Sequence, residues 1–193
     1  LAKQKIISDE KEAEAFYQAA LTAGFEGIMI KNLGGIYQPG SRVGYGVKLK
    51  PVMETLDVVV VGAEWGEGKR SAWLSSFTIA IRNEHGELPE IGKVGTGIKE
   101  KDEEGVSFNH FTELLKPHII RNEGKNVFVK PTVVIEVAYE EIQESPTYSS
   151  GYALRFPRFI RIRDDKSIAN SSTTIDVERL YREQRGRDYD KSL

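Results

Sequence analysis

The run Ala153-Leu154-Arg155-Phe156-Pro157-Arg158-Phe159-Ile160-Arg161-Ile162-Arg163-Asp164-Asp165-Lys166 limits what this chain can become more than any other stretch. Its alternation is that of a strand. Read so, Leu154, Phe156, Ile160 and Ile162 share one face, while Arg155, Arg161 and Arg163 share the other and Arg158 turns aside near the proline. Gathering guanidinium groups is costly unless something anionic sits opposite, and arginine's rigid fork matches phosphate oxygens. Lys166 adds a point charge at the end of the row. These residues alone leave two readings open: an edge strand guarded against aggregation by its arginines, or a phosphate-binding strand.

Charge and composition narrow the setting. A formal net charge of -2 excludes a globally basic nucleic-acid binder, so any nucleic-acid contact must come from a local basic face. The absence of cysteine excludes a disulfide framework, a thiolate metal site and a cysteine nucleophile. His85, His110 and His118 lack metal-ligand spacing. No apolar run reaches membrane-spanning length and no signal peptide is visible, so a cytosolic setting without membrane contact is expected. A chain that opens on Leu1 rather than methionine is expected to be either processed at its start or an excised part of a longer protein, and its motifs favour the latter.

Asp9 followed by Glu12 predicts a helix start with a capping box. Ala13, Phe16, Tyr17, Ala20 and Leu21 recur at helical spacing, and Gly24 sits where that helix would end. Residues 25–30 and 47–50 read as short strands around turns at Asn32-Leu33-Gly34-Gly35 and Pro39-Gly40. One helix and two short strands cannot bury a core, so this piece is expected to be the end of a larger domain. Within it, Glu26 stands beside Gly27, which allows close approach by a ligand or another backbone. A carboxylate near phosphates usually needs a divalent metal. Lys48 and Lys50 are two apart and leave one strand face together. The plain alternative for both is an amphipathic strand with its charges outward.

From Leu56 the pattern turns to strands. Residues 56–63 are nearly all apolar, suiting a strand buried on both faces. Phe77, Ile79 and Ile81 alternate with Thr78, Ala80 and Arg82, and 91–94 suits a third strand. Phe108, Phe111, Leu114 and Leu115 predict a helix ending near Pro117, and 132–139 a central, β-branched strand. With 153–166 as the fifth, five strands and one helix between the third and fourth match the order of an OB-fold barrel. Residues 62–70 lack the spacing of a phosphate loop. They predict a glycine-rich hairpin whose tip residues, Lys69 and Arg70, are placed to touch a DNA backbone. After a polar connector, a terminal helix is expected over 176–184. Val177, Leu180 and Tyr181 face inward there, and Arg179, Arg182, Arg185 and Arg187 make its outside basic.

Glu26-Gly27-Ile28-Met29-Ile30-Lys31, then Lys48-Leu49-Lys50, then the arginine run stand in the order of the closing motifs of the ligase and capping-enzyme superfamily. The Arg-Phe-Pro-Arg run leading into Arg-Asp-Asp-Lys resembles the last motif of ATP-dependent DNA ligases. The connecting text is similar to archaeal-type DNA ligases over nearly the whole chain. It includes Tyr37-x-Pro39-Gly40-x-Arg42, Leu56-Asp57-Val58-Val59-Val60, Gly62-Ala63-Glu64-Trp65-Gly66, Lys93-Val94-Gly95-Thr96-Gly97 and Glu136-Val137.

The resemblance implies a mainly β, α+β chain: the last part of a nucleotidyltransferase (ATP-grasp-like adenylation) domain over 1–51, then an OB-fold domain with a C-terminal helix over 52–193. It implies a nick-sealing enzyme working through lysyl-AMP and DNA-adenylate, with ATP and magnesium as cofactors and nicked double-stranded DNA as partner. By position, Glu26 matches the metal-linked carboxylate, and Lys48 and Lys50 the lysines on the nucleotide phosphate. Arg158, Arg163 and Lys166 match the motif that orients the departing pyrophosphate, with Arg158 and Lys166 also binding the nucleotide. Arg155 and Arg161, like Lys69 and Arg70, are DNA-contact candidates. The OB domain is expected to close on ATP about a hinge at 50–55. The family's nucleophilic Lys-x-Asp-Gly motif does not occur in this sequence, so the chain alone is expected to be inactive. A monomer is expected, near the nucleoid, with any sliding-clamp contact made by other parts of the protein. The alternatives are a non-catalytic OB-fold nucleic-acid module and a capping-enzyme or RNA-ligase relative.

Overall fold

The structure, a computed structural model, describes residues 3–36, 38–40, 44–51 and 55–184. Two compact units divide it, one up to residue 52 and one spanning Met53–Gln184. Tyr37 and Arg42, the central residues 52–54 of the expected hinge, and Arg185 and Arg187 lie outside the described residues.

In the first unit the helix α1 (Glu10–Thr22) starts where Asp9 caps it, the carboxylate accepting from the Lys11 N–H at 2.6 Å and the Glu12 N–H at 3.4 Å. Glu10 and Glu12 add negative charge at the helix's positive end. Tyr17 is the buried residue of its apolar stripe. Strands β1 (Ile28–Lys31) and β2 (Gly46–Leu49) form an antiparallel hairpin pairing Ile28 with Leu49 and Lys31 with Gly46. Phe25, Met29, Leu33, Ile36 and Val47 are exposed.

Among the described residues the second unit carries nine strands rather than the expected five. They are β3 (Leu56–Trp65), β4 (Leu74–Ala80), β5 (Glu90–Val94), β6 (Ile119–Glu123), β7 (Asn126–Val129), β8 (Val134–Ala138), β9 (Glu141–Glu144), β10 (Tyr152–Arg155) and β11 (Arg158–Ile162). The main path runs β11-β8-β3-β4-β5, with β7 also on β3 and the pair β9–β10 apart from it. The two ends of the path approach each other. Thr96, just past β5, bridges in parallel to Arg158, and the Phe159 N–H donates to the Thr96 carbonyl at 2.8 Å. That order and that parallel seam are those of the five-stranded OB-fold, closed by a single bridge rather than a full ladder. The seam depends on Gly97, at φ +93°, because a Cβ there would stand 2.2 Å from the Phe159 carbonyl oxygen.

The core lies inside this curved sheet, around Val58, Val60, Phe77, Ile79, Ile91, Ile135 and Val137. Helix α2 (Phe108–Leu115), capped by Ser107, covers one end of it. Its Phe111 packs 4.4 Å from the Phe77 ring and edge-on to Phe159 at 5.5 Å. Helix α3 (Thr174–Glu183) starts in a reciprocal capping box between Thr173 and Asp176 and buries Val177 and Leu180. The polar connector before it is not loose. Ser172 accepts the Asp57 N–H on its hydroxyl at 3.0 Å and donates its own N–H to the Asp57 carbonyl at 2.8 Å.

The expected single strand over 153–166 is two strands in two sheets. Phe156 takes φ +51°, and Pro157 has no N–H to continue a ladder, so the chain leaves β9 and enters the main sheet beside β8. A register shift between Phe159 and Arg161 then moves the pattern by one residue. Phe159 is therefore buried, while Phe156 (64% exposed) and Ile160 (46%) face outward, opposite to the simple alternation. The capping box expected at Asp9 is found in its one-sided form at α1 and in full at α3.

Candidate functional site

Glu26 and Lys48 meet in the first unit, the ammonium donating to the carboxylate at 3.2 Å with both side chains about half exposed. The residue between Glu26 and β1 makes this approach feasible. Gly27 has φ +141°, and a Cβ on it would sit 2.0 Å from the Leu49 carbonyl oxygen. The close backbone approach expected of this glycine is thus made by its partner strand. Lys48 stands on β2, and Lys50 is half-buried just beyond that strand's end.

In the second unit the arginine segment does not present one cationic face. Arg155, ending β10, reaches Glu141 at 3.4 Å. Arg161 donates to Glu136 at 2.7 Å, and Arg163 lies 3.7 Å from the same carboxylate. Arg163 also donates through Nη1 to Asp57 Oδ1 at 2.8 Å, and through Nε and Nη2 to both oxygens of Asp165 at 2.9 and 2.8 Å. Lys166 donates to the other Asp57 oxygen at 2.5 Å. Asp57, Glu136 and Asp165 therefore face Arg161, Arg163 and Lys166, and the charges cancel. The anions that this row requires come from the protein itself.

The electrostatics follow. Arg163 is held above its already high ordinary value, first by its hydrogen bonds to Asp165 and then by the Asp57 charge. The Arg163 bond also holds the Asp165 carboxyl below the usual carboxylate range. Glu136 is lowered too, by the Thr55 hydroxyl at 2.7 Å first and Arg161 second.

Arg158 differs from its neighbours. It is exposed at the start of β11, and it makes no ion pair among the described residues. Lys69 is exposed in the turn Gly68–Arg70 between β3 and β4, while Arg70 is tied to Glu100 and lies over the Phe108 ring at 5.0 Å. Two aromatic rings are exposed, each beneath an arginine. Arg121 lies 4.1 Å over Phe128, and Arg155 5.2 Å over Phe156.

Residues 1–50 match the family model described as the ATP dependent DNA ligase domain, and residues 70–166 match the ATP dependent DNA ligase C terminal region. The chain belongs to the ATP-dependent DNA ligase family. It is 59% identical over 184 residues to a DNA ligase of Nanoarchaeum equitans, covering 94% of this chain and 32% of that protein. It is 50% identical over 185 residues to a DNA ligase of Archaeoglobus fulgidus, covering 95% and 32%. The chain thus spans about a third of the length of these relatives. Among solved structures it resembles the ligase domain of M. tuberculosis LigD, at TM-score 0.51 and 28% identity, covering 80% of this chain and 50% of that one. It also shares its fold with Pmar-Lig_PreS3, at TM-score 0.59 and 21% identity over 80% of this chain and 31% of that one.

Within this ligase-family chain, Asp57 and Glu136 are the carboxylates of this ion-pair network that sequence reasoning passed over as candidates, although both lie in the text that resembles ligases. Their signal is a lone carboxylate inside an apolar strand, Leu56-Asp57-Val58 and Ile135-Glu136-Val137. Such a charge is retained only where it is paired.

Proposed function

We propose that this chain is the closing part of a nick-sealing, ATP-dependent DNA ligase. What carries the reading is that both ligase models match in order while Lys48, Arg158 and Lys166 remain accessible to solvent at their motif positions. In the proposed reaction, a lysine elsewhere in the protein attacks the α-phosphorus of ATP and pyrophosphate leaves. The AMP passes to the 5′-phosphate of a nick. The 3′-hydroxyl then attacks that phosphorus, a phosphodiester forms and AMP departs.

Each step gathers negative charge on phosphate oxygens, which fixed cations stabilise. Lys48 and Lys50 are assigned to the nucleotide phosphate that stays, and Arg158 and Lys166 to the pyrophosphate that leaves. Since these groups belong to different units, the reading requires the units to close on one ATP. The exposed apolar residues of the hairpin β1–β2 and its flanks support a first unit that is part of a larger adenylation domain. Among the described residues no cluster of three or more acidic or histidine side chains could hold a metal ion. Glu26 offers one carboxylate, which fits magnesium where phosphate oxygens and water fill the rest of its shell. Bound there, magnesium would offset charge on the reacting phosphate.

The Arg121–Phe128 and Arg155–Phe156 pairs favour the OB domain as the nucleic-acid contact, since exposed rings accept stacked bases and guanidinium groups reach phosphates. The test uses the full-length protein beside residues 1–193, each incubated with ATP and magnesium and weighed intact. The expected result is an AMP adduct on the full-length protein, none on residues 1–193, and sealing of a nicked duplex by the former. A folded full-length protein that takes no AMP from ATP overturns the ligase reading, and an adduct from GTP alone redirects it to a capping-type enzyme.

A further inference from the structure

We infer that Asp57 is a positioning residue for nucleotide transfer, fixing the Lys166 ammonium for a triphosphate against a brace formed by Arg163; this rests on the ligase reading above. Asp57 is 14% exposed between buried Leu56 and Val58. A carboxylate in such a strand is costly, and a β-branched neutral residue would suit the strand better. Its backbone cannot shift easily, because Ser172 takes both its N–H and its carbonyl. The carboxylate is therefore aimed from a fixed point, and its two oxygens are divided between two cations, Arg163 and Lys166.

Those cations are not equivalent. Arg163 is 12% exposed and has spent Nε and Nη2 on Asp165 and one Nη1 bond on Asp57. It has no free fork for a phosphate. Lys166 is 31% exposed, and an ammonium has three donors. One goes to Asp57, which leaves two for an incoming anion. The backbone N–H of Lys166 donates to the Arg163 carbonyl at 3.1 Å, so the lysine is held at both ends. Asp57 also cancels the Arg163 charge, so of the three cations matched to the pyrophosphate motif, Lys166 and Arg158 are the ones presented outward. The motif thus divides into groups that touch phosphate, Arg158 and Lys166, and groups that hold Lys166, Asp57 and Arg163.

The test compares the full-length protein with its Asp57→Asn variant in two reactions. One is self-adenylation by ATP; the other is sealing of a nicked duplex already carrying AMP on its 5′-phosphate, with no ATP present. The expected result is a loss on the order of 10- to 100-fold in self-adenylation, with sealing of the adenylated nick within about two-fold of the parent. In a second arm, Asp57→Asn combined with Lys166→Met should be no slower than Lys166→Met alone, since Asp57 acts through that lysine. If Asp57→Asn does not fold, Asp57→Glu serves instead, because the longer side chain displaces both cations and the same split is expected. Equal losses in both reactions would make Asp57 a merely structural ion-pair partner and overturn the assignment, as would unchanged self-adenylation. A parent protein that takes no AMP defeats the ligase reading first, and that control distinguishes the two failures.

Discussion

Arg163 donates to Asp57 at 2.8 Å across 106 residues of chain. This contact ties the strand that begins the second unit to the segment that follows its last strand. Asp57, Glu136 and Asp165 meet Arg161, Arg163 and Lys166 there, so the network is neutral only while its carboxylates are ionised.

That neutrality sets a pH dependence. Glu136 and Asp165 titrate below the ordinary range in the folded protein. A depressed carboxylate contributes stability above its unfolded pKa, which is about 4, and loses it as pH falls through the lower folded value. The urea midpoint should therefore fall as pH drops from about 4 toward 2. Glu136→Gln should start lower at neutral pH and fall less steeply over that window. Parallel curves for the two proteins would show that Glu136 does not carry this dependence.

Thr112 supplies a second prediction. Its buried hydroxyl accepts the Leu74 N–H at 2.9 Å and donates to the Phe108 carbonyl at 2.6 Å, joining α2 to β4. Thr112→Val keeps the volume but leaves the Leu74 N–H unpaired. Urea unfolding should show a loss of about 1–3 kcal/mol, and Thr112→Ser should recover most of it.

At Gly27, backbone and space both oppose a side chain. Gly27→Ala should cost about 1–3 kcal/mol locally and loosen the β1–β2 hairpin. Amide hydrogen exchange at residues 28–31 should quicken, and self-adenylation by the full-length protein should drop as Lys48 and Glu26 separate. Unchanged exchange would mean that the hairpin absorbs the clash elsewhere.

Phe156 separates stability from function. Its φ of +51° costs an ordinary residue roughly 1–2 kcal/mol. Allowing for glycine's extra unfolded-state entropy, Phe156→Gly should stabilise the second unit by about 0.5–1 kcal/mol. The same change removes an exposed ring stacked under Arg155, so affinity for nicked duplex should fall at least several-fold, consistent with about 1–3 kcal/mol per stacked base. Parent binding should also weaken steeply as salt rises from 50 to 200 mM, through counterion release. Unaltered DNA affinity in the glycine variant would leave the strained ring without a nucleic-acid role.

The strand and helix patterns that depend on near neighbours were legible in the residues. Leu56 and the β-branched run after it specify β3, Phe108 and Phe111 specify α2, and Asp9 marks the start of α1, because each signal is a local period or cap. The motif cations and their order were legible through the resemblance to ATP-dependent DNA ligases. The hairpin β6–β7 and the strand β9 were not, since these short strands take their stability from partners across a sheet, β3 for β7 and β10 for β9. The faces of Phe156, Phe159 and Ile160 were also decided in three dimensions. A positive φ, a proline and a register shift change the phase, and none of these is visible as a period. Sequence alone determined that arginines 155 to 163 and Lys166 would need anions. Only the tertiary structure decided which anions: it brought Asp57 and Glu136 beneath Arg161, Arg163 and Lys166, because a long-range pairing is set by the path of the whole sheet and not by any one strand.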